Sequence, residues 1–191
     1  MVIRWTIETP RWLERIVLFY NRLRLGQDVC LIPLTRGKVA IVDADDYTRL
    51  SVYKWRASKK DRYYYACRWP LACEHRRHRP ILMHREILNA PPSMLVDHRN
   101  HNTLDNRRFN LRLATRAQNG YNRRKLTTRN KTSKFKGVSF HKKTDLWRAA
   151  IYINGRCKEL GEFKTEIGAA LAYDEAAKKY YGEFACLNFP E

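Results

Sequence analysis

Three blocks decide the reading: Val96-Asp97-His98, then Leu104-Asp105-Asn106-Arg107-Arg108-Phe109-Asn110-Leu111-Arg112, then Thr115-Arg116-Ala117-Gln118-Asn119. The first closes an apolar approach, Met94-Leu95-Val96, that reads as a strand. A loop rich in Asn, Asp and Arg follows, and Asn110–Ala114 alternates in polarity as a second short strand does. Thr115 and Gln118 have the spacing of a capping box, so a helix is predicted from Arg116, with Asn119 in its first turn. The order is strand, loop, strand, helix.

Cutting a phosphodiester needs a base to activate water and a counter-charge for the leaving oxygen. Histidine suits the first task near neutral pH. A carboxylate and an amide oxygen are hard ligands suited to Mg²⁺ or Mn²⁺. Neighbouring residues on a strand point to opposite faces, so Asp97 and His98 share a face only if the backbone bends at the strand's end.

This arrangement over Ile81–Lys125 resembles the HNH nucleases, specifically the homing type with Asn in the last signature position. His98 to Asn110 is twelve residues and Asn110 to Asn119 is nine. The resemblance implies a ββα-metal unit in which His98 is the general base. Asp97 and Asn119 would hold one divalent metal, Mg²⁺ or Mn²⁺, on the scissile phosphate. Asn110 would brace the loop and orient His98, and Arg116 or Arg112 would contact the phosphate. His84, in Leu82-Met83-His84-Arg85, also resembles a recurrent position of the family, with a hydrogen-bonding, phosphate or purely structural role. The C-x-x-C pairs that hold zinc in some relatives are absent, so no second, structural metal is expected.

The later sequence carries a second pattern. Lys136–Phe140, Trp147–Ile153 and Cys157–Phe163 read as three strands, with Asn154-Gly155 a hairpin signal between the last two. Thr165 caps a helix expected over Glu166–Tyr181, which Gly182 ends. Lys136-Gly137-Val138-Ser139-Phe140, Trp147-Arg148-Ala149-Ala150-Ile151, Leu160-Gly161-Glu162-Phe163, Ala172-Tyr173-Asp174 and Leu187-Asn188-Phe189-Pro190 together resemble the AP2/ERF DNA-binding domain across residues 134–191. The fold implied is a three-stranded antiparallel sheet backed by one helix, the sheet entering the major groove. Alternation directs Trp147, Ala149, Ile151 and Ile153 towards the helix, against Ile167, Ala170 and Leu171. Arg148, Ala150 and Tyr152 face outward, joined by Lys136, Ser139 and His141. Lys158, Arg123 and Arg124 complete the expected DNA-binding set. Cys157 and Glu159 depart from the plant pattern, which is often basic or aromatic there, so the plant target sequence does not transfer.

Composition agrees with a polyanionic partner. The 191 residues carry 38 Lys and Arg against 19 Asp and Glu, a net charge of +19. Residues 96–140 hold twelve Lys or Arg and only two acids, which favours a surface that follows phosphates over diffuse solubility charge. The partner expected is double-stranded DNA, with the oligomeric state open between monomer and homodimer. Five cysteines without a C-x-x-C pair fit a reducing, intracellular setting, the cytoplasm or nucleoid of a bacterial or phage-infected cell. Cys67, Cys73, His75 and His78 lie close in sequence, but their spacing matches no common zinc module. No apolar run approaches the ~20 residues of a membrane span.

The N-terminal part is the least specified. Residues 9–24 read as an amphipathic helix opened by Thr9-Pro10 and ended at Gly26, within a helical segment 1–29. Residues 30–80 form a strand-rich module whose Trp55, Tyr63, Tyr64, Tyr65 and Trp69 suit a core better than base stacking. The nuclease unit spans 81–125, a threonine-rich linker 126–133, and the AP2-like domain 134–191. The class expected is α+β, and the function a site-preferring endonuclease. The alternatives are a non-cleaving DNA-binding protein with a degenerate HNH fold, or an RNA-binding protein.

Overall fold

The structure is a computed structural model that describes residues 29–70, 79–125 and 132–190. The helix expected at 9–24, the residues Cys73, His75 and His78, and most of the threonine-rich linker lie outside them. The protein is mixed α/β with antiparallel sheets, and it divides into two compact units. The first gathers the described residues up to Pro92 with His98–Leu113; the second gathers Ser93–Asp97 with the residues from Ala114 onward.

The first unit opens with a hairpin of β1 (Val29–Pro33) and β2 (Val39–Asp43), registered from Val29 opposite Asp43 to Pro33 opposite Val39. Cys30, Ile32, Ala40 and Val42 point inward, the period-2 pattern of a half-buried ribbon. Helix α1 (Ala44–Ser51) follows and buries Leu50, whose carbonyl accepts from the Trp55 indole N–H at 2.8 Å. A second sheet has the order β3 (Arg56–Lys60), β4 (Tyr63–Arg68), β5 (Ile81–Leu82), and the short α2 (Met83–Ile87) leaves it at once. Of the aromatic residues expected in this core, Trp55 is buried, whereas Trp69 is 54% exposed and lies on the surface.

The polar loop after His98 is tied to the hairpin rather than left to solvent. Ile41 N–H donates to Leu104 O at 2.9 Å and Asn106 N–H to Ile41 O at 2.7 Å, a one-residue parallel bridge to Asp105. Thr103 Oγ1 donates to Tyr64 O at 2.6 Å. Buried acids anchor the arginines of this loop: Arg107 forks onto Asp105, and Arg108 onto Asp46, which also holds Arg49. Such pairs compensate the cost of burying each carboxylate. A single 3₁₀ turn, Arg108–Asn110, then leads into β7 (Leu111–Ala114), which forms a two-stranded sheet with β6 (Leu95–His98). The second strand thus starts one residue later than the polarity pattern suggested.

In the second unit, α3 (Arg116–Tyr121) starts where the capping box requires. Gln118 N–H donates to Thr115 Oγ1 at 3.2 Å, and Thr115 N–H to Gln118 Oε1 at 2.8 Å. A three-stranded sheet, β8 (Val138–His141), β9 (Leu146–Ile153) and β10 (Arg156–Phe163), has β9 in the middle. Asn154 and Gly155 both have positive φ, the two-residue turn that matches strand twist. Helix α4 (Glu166–Tyr181) is capped by Thr165 and packs on one face of the sheet. Val138, Ala149 and Ile151 meet Ala169, Ala170, Tyr173, Ala176 and Ala177. Ile167 and Leu171, expected on that face, are 57% and 49% exposed: the alanines take the sheet-facing stripe because they let helix and sheet approach closely. Gly137 is part of the same closeness. Its φ is +73°, and a Cβ there would lie 1.9 Å from Tyr173 Cδ2.

The tail closes this unit through a buried carboxylate. Asp174 on α4 accepts from the Asn188 and Phe189 backbone N–H groups at 2.8 and 2.9 Å and from the Asn188 amide at 3.0 Å. Asn188 in turn exchanges two bonds with the Lys136 backbone, at 2.6 and 3.1 Å.

Candidate nuclease site and nucleic-acid interface

His98 ends β6 in the first unit, 5% exposed, with its ring in an aromatic cluster. The His84 ring stands edge-on to it at 5.1 Å between centroids, and Tyr65 lies 5.7 Å from His84 and 6.3 Å from His98. Burial pushes the His84 imidazole down to about 3, helped by the neighbouring His98 and Arg85, so it stays neutral. Its Nδ1 is buried and has no hydrogen-bond partner among the described residues.

Asn110 is buried and fastens the loop that follows His98. Its Oδ1 accepts from Asn100 N–H at 3.0 Å, its Nδ2 donates to Asp105 O at 2.7 Å, and its carbonyl accepts from Arg99 N–H at 2.9 Å. Asn100 also donates to Asp105 Oδ2 at 2.8 Å. For Asp105, burial alone would raise the carboxyl pKa, but the hydrogen bonds and charge of Arg107 and the bond from Asn100 hold it below the usual range.

Asp97 belongs to the second unit and is 6% exposed, so both residues of the Asp97-His98 pair are buried. The Asp97 carboxylate accepts from Asn122 Nδ2 at 3.0 Å on each oxygen. Asn122 is the C-cap of α3, and nothing in the local sequence marks it as the partner of a residue 25 positions away. Asn119 is half-buried within α3, and Arg116 is exposed at its start. Asp97 and Asn119 offer a carboxylate and an amide oxygen, donors that fit a hard divalent cation. Among the described residues, no group of three or more His, Cys, Asp or Glu is arranged to hold a metal.

The outer face of the second unit's sheet follows from the register. Arg148, Ala150 and Tyr152 stand opposite Ser139 on one side and Glu162, Glu159 and Cys157 on the other, with His141 beyond. Tyr152 is 64% exposed. Two acids share this face: Arg148 pairs with Glu159 at 3.1 Å and Glu162 at 3.6 Å, and His141 Nδ1 lies 2.9 Å from Glu162. Lys158 is opposite Ile151, on the helix side, and donates to the Tyr180 hydroxyl at 2.8 Å. Lys136 is engaged as well: its ammonium donates to Tyr121 O, and burial lowers its pKa. Arg123 and Arg124, just after α3, are exposed. A cleft of about 640 Å³ runs between α3 and this face, lined by Arg116, Tyr121, Ser139, Arg148, Tyr152 and Glu159 among others.

Two stretches of the chain are similar to known families. The HNH endonuclease family matches residues 89–121, and the AP2 domain family matches residues 133–183. An uncharacterized HNH endonuclease of Acanthamoeba polyphaga mimivirus is 34% identical over 159 residues, covering 80% of this chain and 76% of that protein. The chain belongs to the HNH endonuclease family, with an AP2 domain following the nuclease motif. An AP2-like ethylene-responsive transcription factor of Arabidopsis thaliana is 43% identical over 61 residues, 32% of this chain and 13% of that protein. APETALA2-like protein 2 of Oryza sativa is 41% identical over 61 residues, 32% of this chain and 14% of its own length. The chain therefore spans only about an eighth of these plant relatives. No solved structure gives a significant match. Among the described residues, no helix is long and apolar enough to cross a membrane.

Proposed function

We propose that the protein is a metal-dependent DNA endonuclease of the homing type, which hydrolyses phosphodiester bonds of duplex DNA at sites chosen by its AP2-like domain. The observation that carries this reading is the buried Asp97-His98 pair, one member clamped by Asn122 and the other followed by a loop that Asn110 fastens at three points. Family membership supports it, since HNH nucleases generally use a divalent metal.

In this reading the strand–strand–helix run of β6, β7 and α3 is a ββα-metal unit. His98 takes the proton of the attacking water, and Asn110 fixes the backbone that positions it. Asp97 and Asn119 would hold one Mg²⁺ or Mn²⁺. The metal supplies charge stabilisation at the leaving oxygen. Arg116 steadies the phosphate. Ser139, His141, Arg148 and Tyr152 meet base edges and phosphates, and Arg123 and Arg124 follow the backbone. Lys136 and Lys158 act from the margins, since their ammonium groups are already bonded within the protein. The setting is a cell that carries a mobile element or phage.

The test is plasmid cleavage with and without Mg²⁺ or Mn²⁺, beside gel-shift binding, for the wild type and His98→Ala. The expected result is metal-dependent cutting that His98→Ala abolishes while DNA binding survives. Binding without cutting in both proteins, under either metal, would leave a DNA-binding protein with a degenerate HNH fold. Preference for structured RNA over duplex DNA at equal salt would overturn the DNA reading altogether.

A further inference from the structure

Helix α3 is seated on the C-terminal domain by contacts of three kinds, all inside the second unit. The Tyr121 ring stacks on Tyr181 of α4, with centroids 3.8 Å apart and planes 8° from parallel. The Lys136 ammonium donates to the Tyr121 carbonyl, an acceptor that the end of a helix leaves open. Beyond the helix, the Lys125 ammonium bridges back to the carbonyls of Phe135 and Val138. Tyr181 is held in its turn, because its hydroxyl donates to Tyr152 O on β9 at 2.6 Å. The residue after Tyr121 is Asn122, whose amide holds both oxygens of Asp97.

A continuous path of packed and hydrogen-bonded groups therefore runs from the outer-face strand β9 to the carboxylate assigned to the metal. It passes from Tyr152 to Tyr181, Tyr121, Asn122 and Asp97. Nothing in this path is a flexible side chain reaching through solvent. Stacked rings and buried amide–carboxylate bonds have narrow geometric tolerance. The cleft beside α3 adds a second argument, because its walls are α3 and the outer face themselves. A nucleic-acid strand lying on that face would pass directly along the helix that carries Asn119.

We infer that Tyr121 and Asn122 lock the metal-binding carboxylate to the AP2-like domain, so that the protein cuts at one fixed offset from the sequence it binds. This rests on the nuclease reading above. Tyr121 and Tyr181 are positioning residues that set where the cut falls rather than how fast the bond breaks; Asn122, which also holds the Asp97 carboxylate, bears on both. The docking of α3, and not the number of residues between Lys125 and Thr132, sets the offset.

The experiment uses the full chain with six Gly and Ser residues inserted between Thr127 and Thr128. A duplex selected by binding from a random pool carries the site, and cut positions are mapped on sequencing gels beside a footprint. The insertion alone is expected to leave the offset unchanged. Insertion with Tyr121→Ala is expected to spread the cuts over several base pairs, and insertion with Tyr121→Phe, which keeps the stack, to restore the single offset. A shift or spread caused by the insertion alone overturns the inference, as does a sharp offset in the Tyr121→Ala form. Hydrogen exchange supplies an arm independent of cutting. Tyr181→Leu should speed exchange of amides 119–122 at least tenfold while amides 149–151 stay protected, and unchanged exchange at 119–122 overturns the docking. Absence of cutting by every form overturns the nuclease reading and the offset with it, while the exchange arm still decides whether α3 is docked.

Discussion

Asn122 Nδ2 lies 3.0 Å from each carboxylate oxygen of Asp97, and both side chains are buried. Burying a carboxylate is costly unless donors face it. Asn122→Ala removes this donor at a cost of about 1–3 kcal/mol. The expected outcome is a lower urea midpoint and at least tenfold slower single-turnover cleavage at fixed metal. Asn122→Asp, which sets a second carboxylate against the first, should be worse in both measurements.

His84 makes stability depend on pH. Its folded imidazole titrates near 3, while the unfolded side chain titrates near 6.5. Because the folded value is depressed, this contribution is complete above pH 6.5 and is lost as pH falls towards 3. The slope is up to about 1.4 kcal/mol per pH unit. Urea unfolding at a series of pH values should show that decline, and His84→Phe should flatten it between pH 6.5 and 4.5. An unchanged slope in the variant would contradict a buried neutral His84.

Gly137→Ala tests the closeness of helix and sheet. The new methyl would collide with the Tyr173 ring on a backbone of positive φ. Overpacking and the left-handed conformation each cost on the order of 1–3 kcal/mol. Thermal unfolding should show a drop of several degrees or more in Tm, accompanied by loss of DNA binding.

Glu162 restrains the outer face. It accepts from His141 and pairs with Arg148; desolvation, the largest single influence, pushes its carboxyl up, but hydrogen bonds from His141 and Thr144 together with nearby positive charge hold it below the ordinary range. Glu162→Gln removes one negative charge and frees Arg148 and His141 for phosphates. Affinity for random duplex DNA should rise about threefold, and the salt dependence of binding should steepen. Weaker binding by the variant would mean that Glu162 itself contacts bases, as a carboxylate can at a cytosine amino group.

Local chemistry made much of this molecule legible. The capping box at Thr115 and Gln118 located α3 to the residue, and Asn154-Gly155 located the β9–β10 turn. Asp97, His98, Asn110 and Asn119 could be proposed from spacing because they lie within one short stretch of sequence. Partners far apart in sequence left no such mark. Asn122 meets Asp97 across 25 residues, and Arg108 meets Asp46 across 62. Nothing in either segment alone names its partner. Ile167 and Leu171 misled for a different reason: hydrophobicity marks them as inward, but the space between helix and sheet admits only alanine along most of that stripe. Lys158 looked like one more basic residue until the register placed it across from Ile151.

The clasp of Asp174, Asn188 and Lys136 sets an order of events during synthesis. Asp174 sits buried on α4, and the tail supplies its backbone donors only once Asn188 and Phe189 have emerged from the ribosome. Until then the carboxylate resists burial, and the start of β8 lacks its two bonds to Asn188. A chain still short of its tail therefore carries the stretch that matches the HNH family, residues 89–121, without a finished platform beneath α3.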